Sequence, residues 1–443
     1  MELGISTTAS LCPVCLKRIP ASRIADDNRI YMLKQCPEHG EYRALLWQGQ
    51  PSWDAWERPT VPSQPLACFT EVEKGCPFDC GLCADHWKQT CAALIEVTQR
   101  CNLNCRFCFA DAGGNNQDPP LDLFTGWYRK IMQACGPTNI QLSGGEPTLR
   151  EDLPEIVALG KAEGFPFIQV NSNGLRLAQD KEYVRRLQEA GLDSVFLQFD
   201  GVEDSVYRAL RGRELLKLKL EAIANCAEFG IGVVLVPTIV PGINTDQIGD
   251  IVRFALDHHP GVRGVHFQPV SYFGRIPHQP KDEERFTLPE LITAIEEQTE
   301  GLVKASELKP NNGKCSFSSS FIKEEDGTLR SVQSEGCCCG PEPAEELVRK
   351  TRAYVARQWK GYEVSKNGCC SENSWDYQLN KLKSAGFALT GMAFQDVWNL
   401  DLERLQNCCI HVFSPEEKVI PFCAYNLTSC EGKALYRKES HPW

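Results

Sequence analysis

The chain has 443 residues, 42% hydrophobic and 24% charged, enough for two or three domains and a large core. A net charge of -11 offers no footprint for nucleic acid, and no apolar run reaches the roughly 18 to 20 residues of a membrane span. The start, Met1-Glu2-Leu3-Gly4, has neither basic nor apolar leader character, so a cytoplasmic location is expected. The 23 cysteines then point to metal or cluster binding, with the oxygen sensitivity of an anaerobic host, rather than to disulfides.

Residues 1–62 read as a metal-knuckle module. Leu11-Cys12-Pro13-Val14-Cys15 and Gln35-Cys36-Pro37-Glu38-His39-Gly40 are turn-like knuckles, and each can offer two donors to one tetrahedral ion. Arg29–Lys34 between them alternates like a strand, which predicts a ribbon-type hairpin. Cys12, Cys15 and Cys36 are ligand candidates, with His39 or a more distant thiol such as Cys68 as the fourth. Zinc and a single rubredoxin-like iron fit equally, and unligated turns with buried thiols are the plain alternative.

Residues 63–92 carry Gly75-Cys76-Pro77-Phe78-Asp79-Cys80-Gly81-Leu82-Cys83, a C-x3-C-x2-C loop with Cys68 before it and Cys91 after it. Cys76, Cys80 and Cys83, with Cys91 or Cys68, are expected to hold an auxiliary cluster; a second zinc knuckle is the alternative.

Residues 93–285 alternate short apolar runs with helical patterns, as βα units around a parallel sheet do. Strands are predicted at 94–98, 139–143, 167–172, 194–199, 233–239 and 264–270, and helices at 121–134, 151–163, 181–190 and 214–229. The stretch Cys101-Asn102-Leu103-Asn104-Cys105-Arg106-Phe107-Cys108-Phe109 follows the first strand, where a barrel gathers its chemistry. Three thiols can hold three irons of a [4Fe–4S] cubane and leave the fourth open; a zinc knuckle would want a second Cys/His pair nearby. Ser143-Gly144-Gly145-Glu146-Pro147-Thr148 follows the second strand: its glycines allow close backbone approach to a ligand, and Glu146 offers a negative charge to an ammonium. Asn173 and Asp200 end the third and fourth strands, as polar groups at the mouth or as Asx turns. His266 reads as barrel lining, Arg211-Gly212-Arg213 as a solvated charge run, and Cys135 and Cys226 as buried apolar residues.

After Arg285 the barrel pattern stops. A helix at 288–302 leads into a cysteine-rich segment, 286–443, with Cys315, Cys337-Cys338-Cys339, Cys369-Cys370, Cys408-Cys409, Cys423 and Cys430. Ile410–Phe413 and Val419–Cys423 flank a hairpin turn. A further auxiliary cluster drawing on Cys315, Cys409 and Cys423 is expected here; buried unligated thiols are the alternative.

The CNLNCRFCF loop followed by Gly144-Gly145-Glu146-Pro147 resembles the radical S-adenosylmethionine (radical SAM) superfamily. The order CPVC, CPEHG, GCPFDCGLC, CNLNCRFCF resembles in particular the group of tetraether lipid synthases and archaeal pterin-methylating enzymes. The resemblance implies a partial (β/α)6 TIM barrel, flanked by the amino-terminal knuckle module and a carboxy-terminal auxiliary-cluster region. It implies a [4Fe–4S] cluster on Cys101, Cys105 and Cys108 whose open iron chelates SAM. It extends cofactor contact to Phe107, Gly144, Gly145 and Glu146, and more weakly to Asn173, Asp200, Thr238 and Gln268. The implied reaction is reductive cleavage of SAM to a 5′-deoxyadenosyl radical, hydrogen abstraction from an unactivated carbon, and alkylation, methylation or carbon–carbon bond formation. Expected partners are a small-molecule or lipid substrate and an electron donor such as ferredoxin or flavodoxin. Peptide modification and sulfur insertion are alternatives within the superfamily, and a thiol-rich metal- or metalloid-handling protein, or a metalloid alkylase, is the alternative outside its usual chemistry.

Overall fold

The computed structural model describes residues 3–57, 62–113, 117–332, 344–361 and 384–437. Cys337–Cys339 and Cys369–Cys370 lie outside the described residues.

The amino-terminal residues form four strands, β1 (Leu3–Leu11), β2 (Arg18–Asp26), β3 (Arg29–Cys36) and β4 (Gly40–Gln48). Side chains alternate across a strand, so Ile19, Ala21, Ile30 and Met32 turn inward. The strands pair in sequence order as an antiparallel meander, and the two cysteine knuckles are the β1–β2 and β3–β4 turns. This sheet is anchored to the far end of the chain. Arg23 donates to Asp401 at 2.8 Å, and the buried Lys34 ammonium donates to the carbonyls of Leu11 at 3.0 Å and Val397 at 2.6 Å.

The second sheet is built on six predicted strands, found at β5 (Ala92–Thr98), β6 (Asn139–Gly144), β7 (Ile168–Ser172), β8 (Ser194–Gln198), β9 (Gly232–Val236) with the short β10 (Thr238–Ile239), and β11 (Val262–Pro269). β12 (Ser316–Lys323), β13 (Leu329–Ser331), β14 (Gly386–Met392), β15 (Ile410–Phe413) and β16 (Val419–Pro421) complete it. The spatial order is β13-β12-β14-β11-β9-β8-β7-β6-β5-β15-β16, with β10 beside β11. From β14 to β15 every neighbouring pair is parallel. Two strands from beyond Arg285 therefore join the six, β14 on β11 and β15 on β5. β15 and β16 form the hairpin expected at 410–423.

β5 is buried at every position, as a strand covered on both faces must be. The crossover helices bury one stripe each; Leu121–Cys135 turns Phe124, Trp127, Tyr128, Ile131 and Cys135 to the sheet at helical spacing. Cys226 is likewise buried in the apolar core between sheet and helices. That core leaves the barrel's inside to another set of side chains.

Candidate active site

The cysteine loop leaves the carboxyl end of β5 and crosses the barrel mouth. Cys108 and Arg275, which lies just beyond β11, exchange backbone hydrogen bonds at 3.0 and 2.9 Å, and the Arg275 guanidinium donates to the Cys105 carbonyl at 3.1 Å. The Arg106 N–H donates to the Leu210 carbonyl at 3.0 Å. The three thiols pack among Leu103, Leu175, Tyr207 and Leu215, and burial pushes the Cys101 thiol up to about 11. Thiolates in so apolar a place need cationic compensation, which an iron cluster provides.

The Gly144-Gly145-Glu146 turn lies directly against this loop. The Gly145 N–H donates to the Thr98 carbonyl, and the Glu146 N–H to the Arg100 carbonyl, both at 2.8 Å. A Cβ on Gly144 would stand 2.1 Å from the Thr98 oxygen, and one on Gly145 2.1 Å from the Arg100 oxygen. The glycines thus permit a close approach between two loops of the protein, where the sequence suggested approach to a ligand. The Glu146 carboxylate is 1% exposed and accepts from the Thr148 N–H and hydroxyl, the Ser172 hydroxyl and the Asn173 N–H. Burial raises its pKa, and those hydrogen bonds oppose the rise.

Asn173 makes an Asx turn to the Leu175 N–H at 3.0 Å, and its amide also donates to Asn102 in the cysteine loop at 2.7 Å. Asp200 is fully buried and gripped by Arg211 at 2.7 and 2.8 Å; the same guanidinium reaches the Thr238 hydroxyl at 3.2 Å and the Phe107 carbonyl at 3.5 Å. Arg211 is therefore not part of a solvated run, although Arg213 is exposed. Burial opposes the charge of Arg211, and the Asp200 carboxylate restores it. Lys219, also buried, donates to the Asn173 carbonyl at 2.5 Å, and burial pushes it down to about 8. Arg211, Lys219 and Arg275 thus place cationic groups around the thiol loop. Helical spacing hid the first two, because a charged residue facing into a barrel has the same local pattern as one facing water.

Inside the barrel lies a cavity of about 280 Å³. Phe107, Cys108 and Phe109 border it at the mouth, and Thr238 and Gln268 line its wall. At the opposite, amino-terminal ends of the strands it reaches Cys91 and Cys409. Asn139, Gln141, Asn171, Ser318 and Thr390 supply polar lining, while Phe196 and Trp359 supply aromatic walls. His266 lines it too, stacked on Phe196 with ring centroids 5.4 Å apart and bonded to Thr390 at 2.7 Å. Burial pushes its imidazole down to about 4, so it is neutral at pH 7. Among the described lining residues the charged side chain is Lys88. The buried Oδ1 atoms of Asn139 and Asn171 have no hydrogen-bond partner.

Three further donor sets are brought together. Cys12, Cys15, Cys36 and His39 hold their ligand atoms within 4.8 Å of one another, the arrangement one tetrahedral ion requires. Burial opposes ionisation of Cys36, but hydrogen bonds from the Glu38 backbone, the His39 ring and Cys12 outweigh it and hold that thiol at about 6. Cys76, Cys80 and Cys83 form a second set, with Cys68 exposed. Cys91, which the sequence offered to that loop, lies instead beside Cys409: its N–H donates to the Cys409 carbonyl at 2.7 Å, and the two thiols perturb one another's ionisation. Cys315, Cys408 and Cys423 lie within electrostatic reach of the same place, which makes a third, five-thiol set. Arg352 is buried and Arg404 half-buried beside it. Among the described residues no helix is long and apolar enough to cross a membrane.

Comparison with known proteins agrees with this architecture. The Radical SAM superfamily model matches residues 95–255, and the HMPTM N-terminal zinc ribbon domain matches residues 4–48. The chain is 35% identical to the 7,8-dihydro-6-hydroxymethylpterin dimethyltransferase of Methanocaldococcus jannaschii, over 95% of this chain and 93% of that protein. It is 36% identical to the GTP 3′,8-cyclase of Aquifex aeolicus over 40% of this chain and 56% of that protein. Among solved structures, Streptococcus suis SuiB bound to precursor peptide SuiA matches with a TM-score of 0.42 and 16% identity, over 49% of this chain and 47% of that one. A three-thiol loop after the first strand of a parallel partial barrel, together with the superfamily model and the full-length relative, defines a radical SAM enzyme, dependent on a [4Fe–4S] cluster and SAM. Within the superfamily the chain belongs with the pterin dimethyltransferase, which it matches along nearly its whole length.

Proposed function

We propose that this enzyme uses SAM to methylate or otherwise alkylate a carbon of an uncharged, pterin-type ring seated in the barrel cavity. The cavity lining is the observation that supports this substrate. It borders Cys108, carries amides, hydroxyls, a neutral imidazole and aromatic walls, and has no carboxylate or arginine among its described residues. The unpartnered Asn139 and Asn171 oxygens suit the N–H donors of such a ring, because leaving them unpaired around a bound ligand would be costly. A nucleoside triphosphate would need several cations where Lys88 stands alone among the described lining residues, and a lipid chain would leave this polar lining unsatisfied.

In this reading Cys101, Cys105 and Cys108 hold the SAM-binding cluster. With SAM bound, it supplies a carbon-centred radical able to take hydrogen from an unactivated carbon. The protein's own residues position and shield. Glu146 braces the Gly144-Gly145 turn against the cysteine loop, and Asn173 ties that loop to β7. The Asp200–Arg211 pair fixes Thr238 and the Phe107 carbonyl, which leaves these two to line the SAM site with Gln268. Phe107 and Tyr272, with ring centroids 6.0 Å apart, wall off water at the mouth.

Cys76, Cys80 and Cys83 are assigned to one auxiliary cluster. Four of Cys91, Cys315, Cys408, Cys409 and Cys423 are assigned to another, at the far end of the cavity. The Cys3His set of the amino-terminal ribbon suits zinc. Ferredoxin or flavodoxin is the proposed electron donor, the cytoplasm the proposed location, and nucleic acid plays no part.

The test is anaerobic reconstitution, followed by dithionite-driven turnover with 7,8-dihydro-6-hydroxymethylpterin, GTP or lipid vesicles. Expected are 5′-deoxyadenosine and a pterin product heavier by one or two methyl groups, both lost in the Cys101→Ala/Cys105→Ala/Cys108→Ala variant. Turnover of GTP or lipid with the pterin inert would overturn the substrate assignment.

A further inference from the structure

Strand register assembles one tier of the barrel interior. Asn171 on β7 pairs with Phe196 on β8, and His266 on β11 pairs with Thr390 on β14, which pairs in turn with Ser318 on β12. All five border the cavity. The stack of His266 on Phe196 joins the two halves. Trp359, with its ring centroid 4.8 Å from that of Phe196 and 6.2 Å from that of His266, packs edge-on against both. Side chains alternate along β11, so the next inward position toward the mouth is Gln268, roughly 7 Å along the strand. His266 therefore lies one step below the wall assigned to SAM, at the depth of a ring seated beneath it.

The imidazole is 8% exposed. Its Nδ1 meets the Thr390 hydroxyl at 2.7 Å, and that hydroxyl donates to the Val265 carbonyl at 3.4 Å. With the hydroxyl proton committed there, Nδ1 carries the ring's own proton and donates it to Thr390. Burial, which keeps the ring neutral at pH 7, removes the charged alternative. Nε2 is thus left as an acceptor, and it has no hydrogen-bond partner among the described residues. An acceptor so buried and unpaired costs free energy that a donor entering the cavity restores. Phe would fill this place equally well; the fixed tautomer and the aromatic clamp instead reserve one lone pair for an occupant.

We propose that His266 binds and orients the substrate, its Nε2 accepting a hydrogen bond from an N–H of the ring seated in the cavity while Thr390 fixes the tautomer. This deepens the pterin reading and rests on it. A ring with an N–H at this tier satisfies Nε2, whereas a ring that offers only acceptors there sets two lone pairs against each other. A ring anchored at this tier presents a constant edge to the mouth, so the radical meets the same carbon at each turnover.

The test uses the full-length, anaerobically reconstituted enzyme without reductant, so that 7,8-dihydro-6-hydroxymethylpterin binds without turnover and equilibrium dialysis gives its dissociation constant. His266→Phe keeps the stack and removes the acceptor, and His266→Gln restores an acceptor. Thr390→Val keeps the shape of its site and frees the ring proton to move to Nε2. Expected are an affinity loss of about tenfold in His266→Phe, recovery to within about threefold of wild type in His266→Gln, and a loss of at least about threefold in Thr390→Val. With dithionite added, His266→Phe should also form less methylated pterin per 5′-deoxyadenosine, because a loosely held ring leaves the radical to be quenched elsewhere. Wild-type affinity in His266→Phe, or equal losses in the Phe and Gln variants, would place the residue in packing and overturn the proposal. A loss in His266→Phe with none in Thr390→Val would refute the assigned tautomer, and the proposal with it. A wild type that cleaves SAM yet binds no pterin would remove the pterin reading itself, an outcome distinct from these.

Discussion

Replacing Arg211 by Met isolates the electrostatics of the barrel mouth. The guanidinium is 5% and the Asp200 carboxylate 0% exposed, and they meet through two bonds of 2.7 and 2.8 Å. Without Arg211 the carboxylate keeps the Thr238 N–H at 3.1 Å as its remaining side-chain contact, in a place water does not reach. Stranding one member of such a pair costs about 3–5 kcal/mol, a large part of the roughly 5–15 kcal/mol that holds a domain together. Arg211→Met should therefore lower the urea midpoint markedly. Asp200→Asn/Arg211→Met, neutral at both sites, should recover most of the loss, because a matched neutral pair has no charge to desolvate. Urea unfolding followed by far-ultraviolet circular dichroism, run as a double-mutant cycle, measures this directly. Equal destabilisation in single and double variants would refute the reasoning and place the loss in packing. SAM affinity should fall in both variants, since the Thr238 hydroxyl and Phe107 carbonyl lose their tether in each.

Gly145→Ala forces the 2.1 Å overlap with the Arg100 carbonyl, so the two loops must separate; SAM binding by equilibrium dialysis should weaken at least about tenfold, or 1.4 kcal/mol, with the fold retained. With Cys91 as one of the four ligands of the deep cluster, Cys91→Ser should cost roughly four irons per chain, whereas Cys68→Ser, at an exposed thiol, should cost none; the reverse result would make Cys68 the fourth ligand of the Cys76–Cys83 loop and leave Cys91 unligated. Burial pushes Lys34 from 10.5 in an open chain down to about 7 in the fold, so unfolding takes up a proton between these values. Stability relative to Lys34→Met should then rise as pH climbs from about 7 towards about 10.5, with the penalty present in full below 7. Paired urea titrations across that range check the sign.

The six central strands were legible because each is a short apolar run closed by turn residues, and their order follows from the right-handed crossover rule. The position of the cysteine loop and of Gly144–Glu146 followed from the same periodicity. What stayed hidden was set by tertiary pairing. Gly386–Met392 carried no strand assignment from the sequence, and Ile410–Phe413 reads as half of a hairpin, yet both are parallel neighbours of barrel strands far off in sequence. Cys91 is closer in sequence to Cys83 than to Cys409, but the β5–β15 register begins at Ala92 and Ile410, so it sets the preceding residues side by side. Arg211 and Lys219 were missed for a different reason. Their helices are amphipathic, and the sequence does not tell whether a cation on the boundary faces solvent or a ring of thiols.

The pairing of β5 with β15 also sets the order in which the protein can be made. Leu94 lies in the first quarter of the chain, and its partner Val412 emerges near the end. At ribosomal rates of roughly 5–20 residues per second, the first barrel strand waits tens of seconds for that edge. The amino-terminal ribbon waits as long, since Arg23 is held by Asp401. During that interval Cys12, Cys15, Cys36 and His39 are already complete as a metal set, whereas the thiols around Cys91 still lack Cys408, Cys409 and Cys423. Metal capture is thus divided in time: the ribbon can load on the nascent chain early, and the deep thiol site only once Cys408, Cys409 and Cys423 have been made.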